Sequence, residues 1–176
     1  MQPAVIELQV ERIGQLFDML DPQPFRERDL DRDAEDYIVG WARELPRGLP
    51  LCIRIHMPES EAGSEQAHNL GPAMRRYFAY RADSARREMK ELFRLGRIYL
   101  LIGLAVLALC IAGGGLLPRL MPNPETARFL NEGLIILGWV ANWRPIEIFL
   151  YDWWPILRRR RLFVRLASAE IAISAR

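Results

Sequence analysis

The side chains best placed to do chemistry are crowded into WRPIEIFLYDWWPILRRRR, residues 143–161. Arg144, Glu147 and Asp152 stand there among Trp143, Tyr151, Trp153 and Trp154. On a helix Arg144 and Glu147 are three residues apart and can pair, which lowers the cost of holding either beside hydrocarbon. Ionisable groups in such a place mark, by default, a grip on a lipid headgroup, a proton or a polar partner. The plainer reading is that all three are solvated at a membrane boundary, with Arg158, Arg159, Arg160 and Arg161 acting as stop-transfer charges. The aromatic residues suit a headgroup-level belt, because each joins an apolar ring to a polar edge. Pro145 and Pro155 should kink or break this element, giving a helix that leaves the bilayer and bends along its inner surface.

Other chemistries find little support. Cys52, His56 and His68 are the soft metal ligands in the first half, but same-face strand residues four apart lie about 13 Å from one another, too far for one ion. No metal and no cofactor is expected. The acidic stretch from Asp18 to Asp36 lacks the ligand order and central glycine of a calcium loop, and suits helix capping or docking of a basic surface such as Arg86, Arg87, Lys90 and Arg94. Phosphate loops, nucleophile elbows, zinc-protease motifs and dinucleotide fingerprints are missing. Catalytic residues are therefore not assigned, and the expectation leans away from an enzyme.

The element that must position residues 143–161 is a membrane hairpin. Ile98 to Leu117, IYLLIGLAVLALCIAGGGLL, holds twenty residues without a charge, which at about 1.5 Å per residue matches a hydrocarbon core of about 30 Å. A soluble core helix would rarely be apolar on every face over that length. A second segment, FLNEGLIILGWVANW, is less pure, and an interfacial or re-entrant path is its alternative. Eight Lys or Arg lie between Arg75 and Arg97 and four more at 158–161, against Arg119 and Arg128 in the intervening loop. The positive-inside rule then puts both termini in the cytosol of a bacterial-type inner membrane. Gly113, Gly114 and Gly115 suit close helix approach. Glu132, Asn142 or Arg144 would line the pore if several copies formed a channel.

Around this hairpin the chain alternates like a small α+β protein. In VIELQVE, Ile6, Leu8 and Val10 share one face; in LPLCIRIHM, Leu51, Ile53, Ile55 and Met57 do. Between them, after a loop at 21–29, Asp29, Asp31 and Asp33 open a helix with the stripe Leu30, Ala34, Tyr37, Ile38, Trp41, Ala42 and Leu45, ended by Pro46. LASAEIAIS predicts a third strand, with a helical tail as the alternative. A polar loop at 58–69 precedes a helix starting at Pro72. Phe78, Ala82, Ala85, Met89, Leu92, Gly96 and Tyr99 follow steps of four and three, the spacing of a self-association seam and equally of a helix packed on its own sheet.

The expected fold class is thus membrane α+β, a two-helix transmembrane hairpin carrying a small cytosolic β-α-β(-β) module, with one long helix continuing from the cytosol into the first span. Its segments are an acidic module (1–71), a basic juxtamembrane helix (72–97), a first span (98–117), an outer loop (118–128), a second span (129–144), an interfacial segment (145–161) and a cytosolic strand or tail (162–176). Net charge is +2, divided as −7 for residues 1–71 and +9 for 72–176, so the halves attract each other. The arginines gather at the ends of apolar segments and not along a nucleic-acid face, so the expected partners are anionic headgroups, a second copy or another membrane protein. A non-enzymatic accessory or scaffold protein is the first functional reading, with a lipid-binding or lipid-modifying interfacial site and a homo-oligomeric channel behind it.

Overall fold

A computed structural model describes residues 3–18, 28–46 and 48–176. The protein is mostly helical, with a small three-stranded parallel sheet and two helices long and apolar enough to cross a membrane. The elements are β1 (Ala4–Gln9), a 3-10 turn (Ile13–Leu16), α1 (Arg32–Glu44), β2 (Leu51–Met57), α2 (Glu59–Ala62), α3 (Glu65–Leu120), α4 (Pro124–Ala141), α5 (Trp143–Glu147), a π-turn (Ile148–Asp152), α6 (Trp153–Ala167) and β3 (Glu170–Ala175). They fall into an α/β unit, Met1–Ala85 with Arg158–Arg176, and a helical unit, Arg86–Leu157. Most of the loop read at 21–29 lies outside the described residues.

In the α/β unit all three alternating segments are strands, in the order β1-β2-β3 and parallel throughout. In-register pairing stacks Ile6, Ile53 and Ile171 in one row and Leu8, Ile55 and Ile173 in the next. Except for the exposed Ile173, these rows join one core with Ile38, Val39 and Ala42 of α1, Leu70, Met74 and Phe78 of α3, and Phe163 and Leu166 of α6. The opposite face carries Val5, Glu7, Gln9, Cys52, Arg54, His56, Glu170, Ala172 and Ser174, and Arg54 pairs with Glu7 across the strands at 3.1 Å. Burial, and then the neighbouring Glu170, push the Cys52 thiol up.

Asp31 caps α1 by accepting from the Asp33 N–H at 2.9 Å, as the aspartate cluster predicts. The expected stripe is corrected at two places: Tyr37 and Trp41 are exposed, while Val39 is buried in their stead. Tyr37 is held at the rim because its hydroxyl donates to the Glu7 carbonyl at 3.3 Å. Arg165 of α6 donates to the carbonyls of Pro46 and Leu49 at 2.5 and 2.9 Å, tying the end of the chain to the α1–β2 connection.

The polar loop expected at 58–69 is instead α2 and the start of α3, and Pro72 lies inside α3 instead of opening it. Ser64 moves the start forward, since its hydroxyl accepts from the Ala67 N–H at 3.1 Å and so satisfies a first-turn donor that has no helical partner. Part of the predicted seam is packed within the chain. Phe78, Ala82 and Ala85 are buried in the α/β unit, with Phe78 stacked on Phe163 at 6.4 Å; in the helical unit Gly96 faces Ile148 and Phe149. Met89 and Leu92 are half-buried and Tyr99 is exposed. Packing on one's own sheet and zipping to another helix call for the same apolar spacing, and from Phe78 to Ala85 the α/β core takes it.

Tyr77 donates to Glu35 Oε2 at 2.7 Å and Arg81 pairs with Glu35 Oε1 at 2.7 Å, joining α3 to α1. Burial first, and the Glu35 contact second, push the Tyr77 phenol well above its ordinary value. A raised phenol contributes stability that is fully present below its unfolded value of about 10 and is lost as pH climbs beyond it. Alkaline titration of thermal unfolding should therefore show a decline above pH ~10 that Tyr77→Phe flattens. The same variant should lose about 1–2 kcal/mol at neutral pH.

In the helical unit the outer loop shrinks from the expected 118–128 to 121–123, because α3 runs on to Leu120 and Asn123 caps α4 by accepting from the Glu125 N–H at 3.0 Å, with Pro124 in the first position. The apolar part of α3 meets the following helices antiparallel: a β-carbon on Gly96 would lie 2.8 Å from Ile148 Cγ2, one on Gly103 2.7 Å from Asn142 Oδ1 and 3.0 Å from the Ala141 carbonyl, and one on Gly138 3.1 Å from Leu107 Cα. Of the triple glycine Gly114 lies closest to α4, where a β-carbon would overlap Asn131 Oδ1; one on Gly113 would sit 3.9 Å from Leu134 Cδ1, while Gly115 has open space.

Asn142 is 5% exposed and donates to the carbonyls of Gly103 at 3.0 Å and Gly138 at 2.9 Å. The pore-lining expectation for Asn142 is thereby corrected: its amide is a clasp between helices. Glu132, another of the three pore candidates, pairs with Arg128 at 3.1 Å on the exposed surface of α4. The expected breaks at Pro145 and Pro155 are shifted as well. Each proline is the third residue of its helix, where the missing N–H costs nothing, and the interruptions fall just ahead, at Asn142 and at the π-turn.

Candidate functional site

The helix from Trp143 onward has to bring Arg144, Glu147 and Asp152 to one side. Glu147, three residues on, faces Arg144 without help. Asp152, eight residues on, would stand about 80° away around a regular helix. The wide turn Ile148–Asp152 takes up one extra residue and so gives Asp152 the phase of a seventh neighbour, about 20° from Arg144. Arg144 Nη1 consequently reaches Glu147 Oε2 and Asp152 Oδ2, both at 3.0 Å. All three predicted polar residues are together, and the sequence left out only the device that joins them.

That device has its own lock. The Trp153 indole N–H donates to the Phe149 carbonyl at 2.9 Å, tying the first residue after the widened turn back to a residue within it. Trp153 also meets Trp154 edge to face, with ring centroids 5.3 Å apart, and Phe149 stacks on Phe93 of α3 at 6.0 Å. Trp143, Tyr151 and Trp154 are exposed. The four basic anchors Arg158, Arg159, Arg160 and Arg161 all lie on α6, in the part that belongs to the α/β unit.

One guanidinium shared by two carboxylates leaves the cluster with a net charge of about −1. A phosphate would have to displace a carboxylate to reach Arg144, whereas a cationic group or a proton finds two acceptors already aligned. The exposure of the triad makes each pair individually weak, so its value is in orientation and not in stability. Trp153→Phe should cost about 1 kcal/mol by unfitting the π-turn, against less than about 0.5 kcal/mol for Trp143→Phe on the open surface; thermal unfolding in detergent compares the two.

The carboxyl ends of the strands border a shallow cleft lined by Gln9, Val10, Glu11, His56, Met57, Pro58 and Arg176. Open parallel sheets take ligands at this end, but here the charges are of mixed sign and the cleft is open to solvent. Cys52 and His56 lie on the outer face of β2, and His68 Nδ1 contacts the Ser64 carbonyl at 3.0 Å. Among the described residues no three His, Cys, Asp or Glu side chains are grouped for a metal ion.

Compared with protein-family models, curated proteins and solved structures, the chain matches none.

Proposed function

We propose that this chain is an integral membrane protein of a bacterial-type inner membrane, a two-span hairpin that holds a small α/β module at the cytosolic surface and serves as a non-enzymatic accessory or scaffold subunit. The observation that carries the reading is the inverted distribution of the helical unit. Only 17% and 22% of the two apolar stretches are buried, and Leu109 and Phe129 are 72% and 76% exposed, while the polar Asn142 is turned inward to bond between helices. Apolar side chains outside and hydrogen-bonded polar groups inside suit a hydrocarbon solvent and not water. The basic residues at 75–97 and 158–161 support a cytosolic α/β module by the positive-inside rule and suit attraction to anionic headgroups.

Carbonate washing of membranes and cysteine labelling test this reading together. The protein should stay in the membrane fraction, Glu125→Cys should react with an impermeant maleimide from outside intact cells, and Gly48→Cys should react only after permeabilisation. Release by carbonate, or the opposite labelling pattern, rejects the hairpin. The scaffold role is read from what copurifies in native nanodiscs: a stoichiometric second subunit or a second copy supports it, and a bare monomer rejects it.

The π-turn favours a second reading, in which Arg144, Glu147 and Asp152 orient a lipid headgroup or substrate at the inner interface. The net negative triad suits an amine-bearing headgroup. If Arg144→Gln with Glu147→Gln removes a copurifying aminolipid while assembly persists, this reading replaces the scaffold.

A further inference from the structure

We infer that two copies of this chain pair edge to edge through β3, antiparallel about a two-fold axis at Ile173, extending the three-stranded sheet to six strands. The inference deepens the scaffold reading by naming a second copy as its partner.

The two edges of the sheet are treated differently. Successive residues of a strand point their backbone N–H and C=O groups to opposite sides. Since the Val10 N–H bonds the His56 carbonyl, the outward groups of β1 are those of Val5, Glu7 and Gln9, and among them the Glu7 carbonyl is occupied by the Tyr37 hydroxyl. On the other side the Arg176 N–H bonds the Met57 carbonyl, so Ile171, Ile173 and Ala175 present their N–H and C=O groups outward. Among the described residues nothing bonds to them. An unpaired edge of this kind is a template for another strand.

The edge is self-complementary in one register. With the axis at Ile173, that residue faces its own copy as a hydrogen-bonded pair, and Ile171 faces Ala175 in the same way. All three outward residues are then used. The same register sets Glu170 opposite Arg176 of the second copy, on the outer face of the sheet, and repeats that pair at the other end by symmetry. Moving the axis by one residue loses both charge pairs. On the core face, Ile173 is 37% exposed and would be covered by its counterpart, as cross-strand aliphatic pairs require.

The test uses the full chain in native nanodiscs, with mass photometry against the 20.4 kDa chain mass. Wild type is expected as a dimer. Glu170→Arg should weaken it about tenfold by placing two arginines opposite one another, as should Arg176→Glu, and the double exchange should return it to within about threefold of wild type. Ile173→Pro removes an outward N–H that β2 does not use, so the monomer keeps its sheet, seen by circular dichroism, while the dimer is lost. Ile173→Cys should cross-link across the axis, where hydrogen-bonded partners stand about 5.5 Å apart; Cys52 and Cys110 are buried. A wild-type monomer that resists carbonate extraction overturns the β3 pairing and leaves the membrane hairpin standing. A dimer indifferent to Ile173→Pro overturns the pairing too, and carbonate release overturns the hairpin alone.

Discussion

Phe78→Ala is expected to destabilise the α/β unit by about 3–5 kcal/mol, which for a unit of this size is most of its stability. Phe78 is fully buried, meets Tyr77 edge to face at 5.5 Å and stacks on Phe163 at 6.4 Å. Its ring joins α3 to α6, so the cavity would open between helices distant in sequence, where little backbone can relax to fill it. The experiment also separates two roles for the 78–99 heptad spacing. A seam residue would leave the monomer stable and lower only its association; a core residue lowers the melting temperature at every concentration. Denaturant or thermal unfolding at two protein concentrations reads the difference, and a shift that vanishes on dilution would return Phe78 to the seam.

Gly103→Leu should cost about 3 kcal/mol in the helical unit. A β-carbon there would press on the Ala141 carbonyl and on an Asn142 amide already fixed by two hydrogen bonds. Overpacking of this kind costs about 1–3 kcal/mol, and losing an interhelical bond about 0.6–1.7 kcal/mol more. Gly115→Ala is the control. It meets nothing within 4 Å and replaces a poor helix former by a good one, so it should be neutral or stabilising by up to about 1 kcal/mol. Cross-linking of cysteine pairs placed on α3 and α4 would show the helices parting in the first variant and not in the second.

The strands were the most legible part of the chain, because alternation with period two survives whatever packs above it. Even EIAIS, short and remote from its partners, keeps that signature. Parallel pairing was not legible, since Cys52 and Glu170 become neighbours only through the tertiary fold. At Pro72 a strong local signal was overruled by a better cap at Ser64. The glycine triplet announced close packing, but only the helical phase picks Gly114 from its neighbours. Arg144, Glu147 and Asp152 could be named from their chemistry. Their alignment depends on a widened turn whose one visible sign is a proline at 155 that needs an interruption ahead of it.

The order of the strands also sets a timetable for synthesis. β2 has β1 on one side as soon as both emerge, but its other neighbour, β3, arrives after both apolar helices and α6 have been made. Closing so long a loop is entropically costly and makes for high contact order and slow folding. During that interval Ile53 and Ile55 lack the cover of β3, α6 and Phe163, and the β2 edge is open to any other strand. Synthesis of both apolar helices is therefore finished before the sheet can be completed. A ribosome stalled after α4 would hold a half-built module, sensitive to protease, and continued synthesis through β3 would convert it to the resistant form.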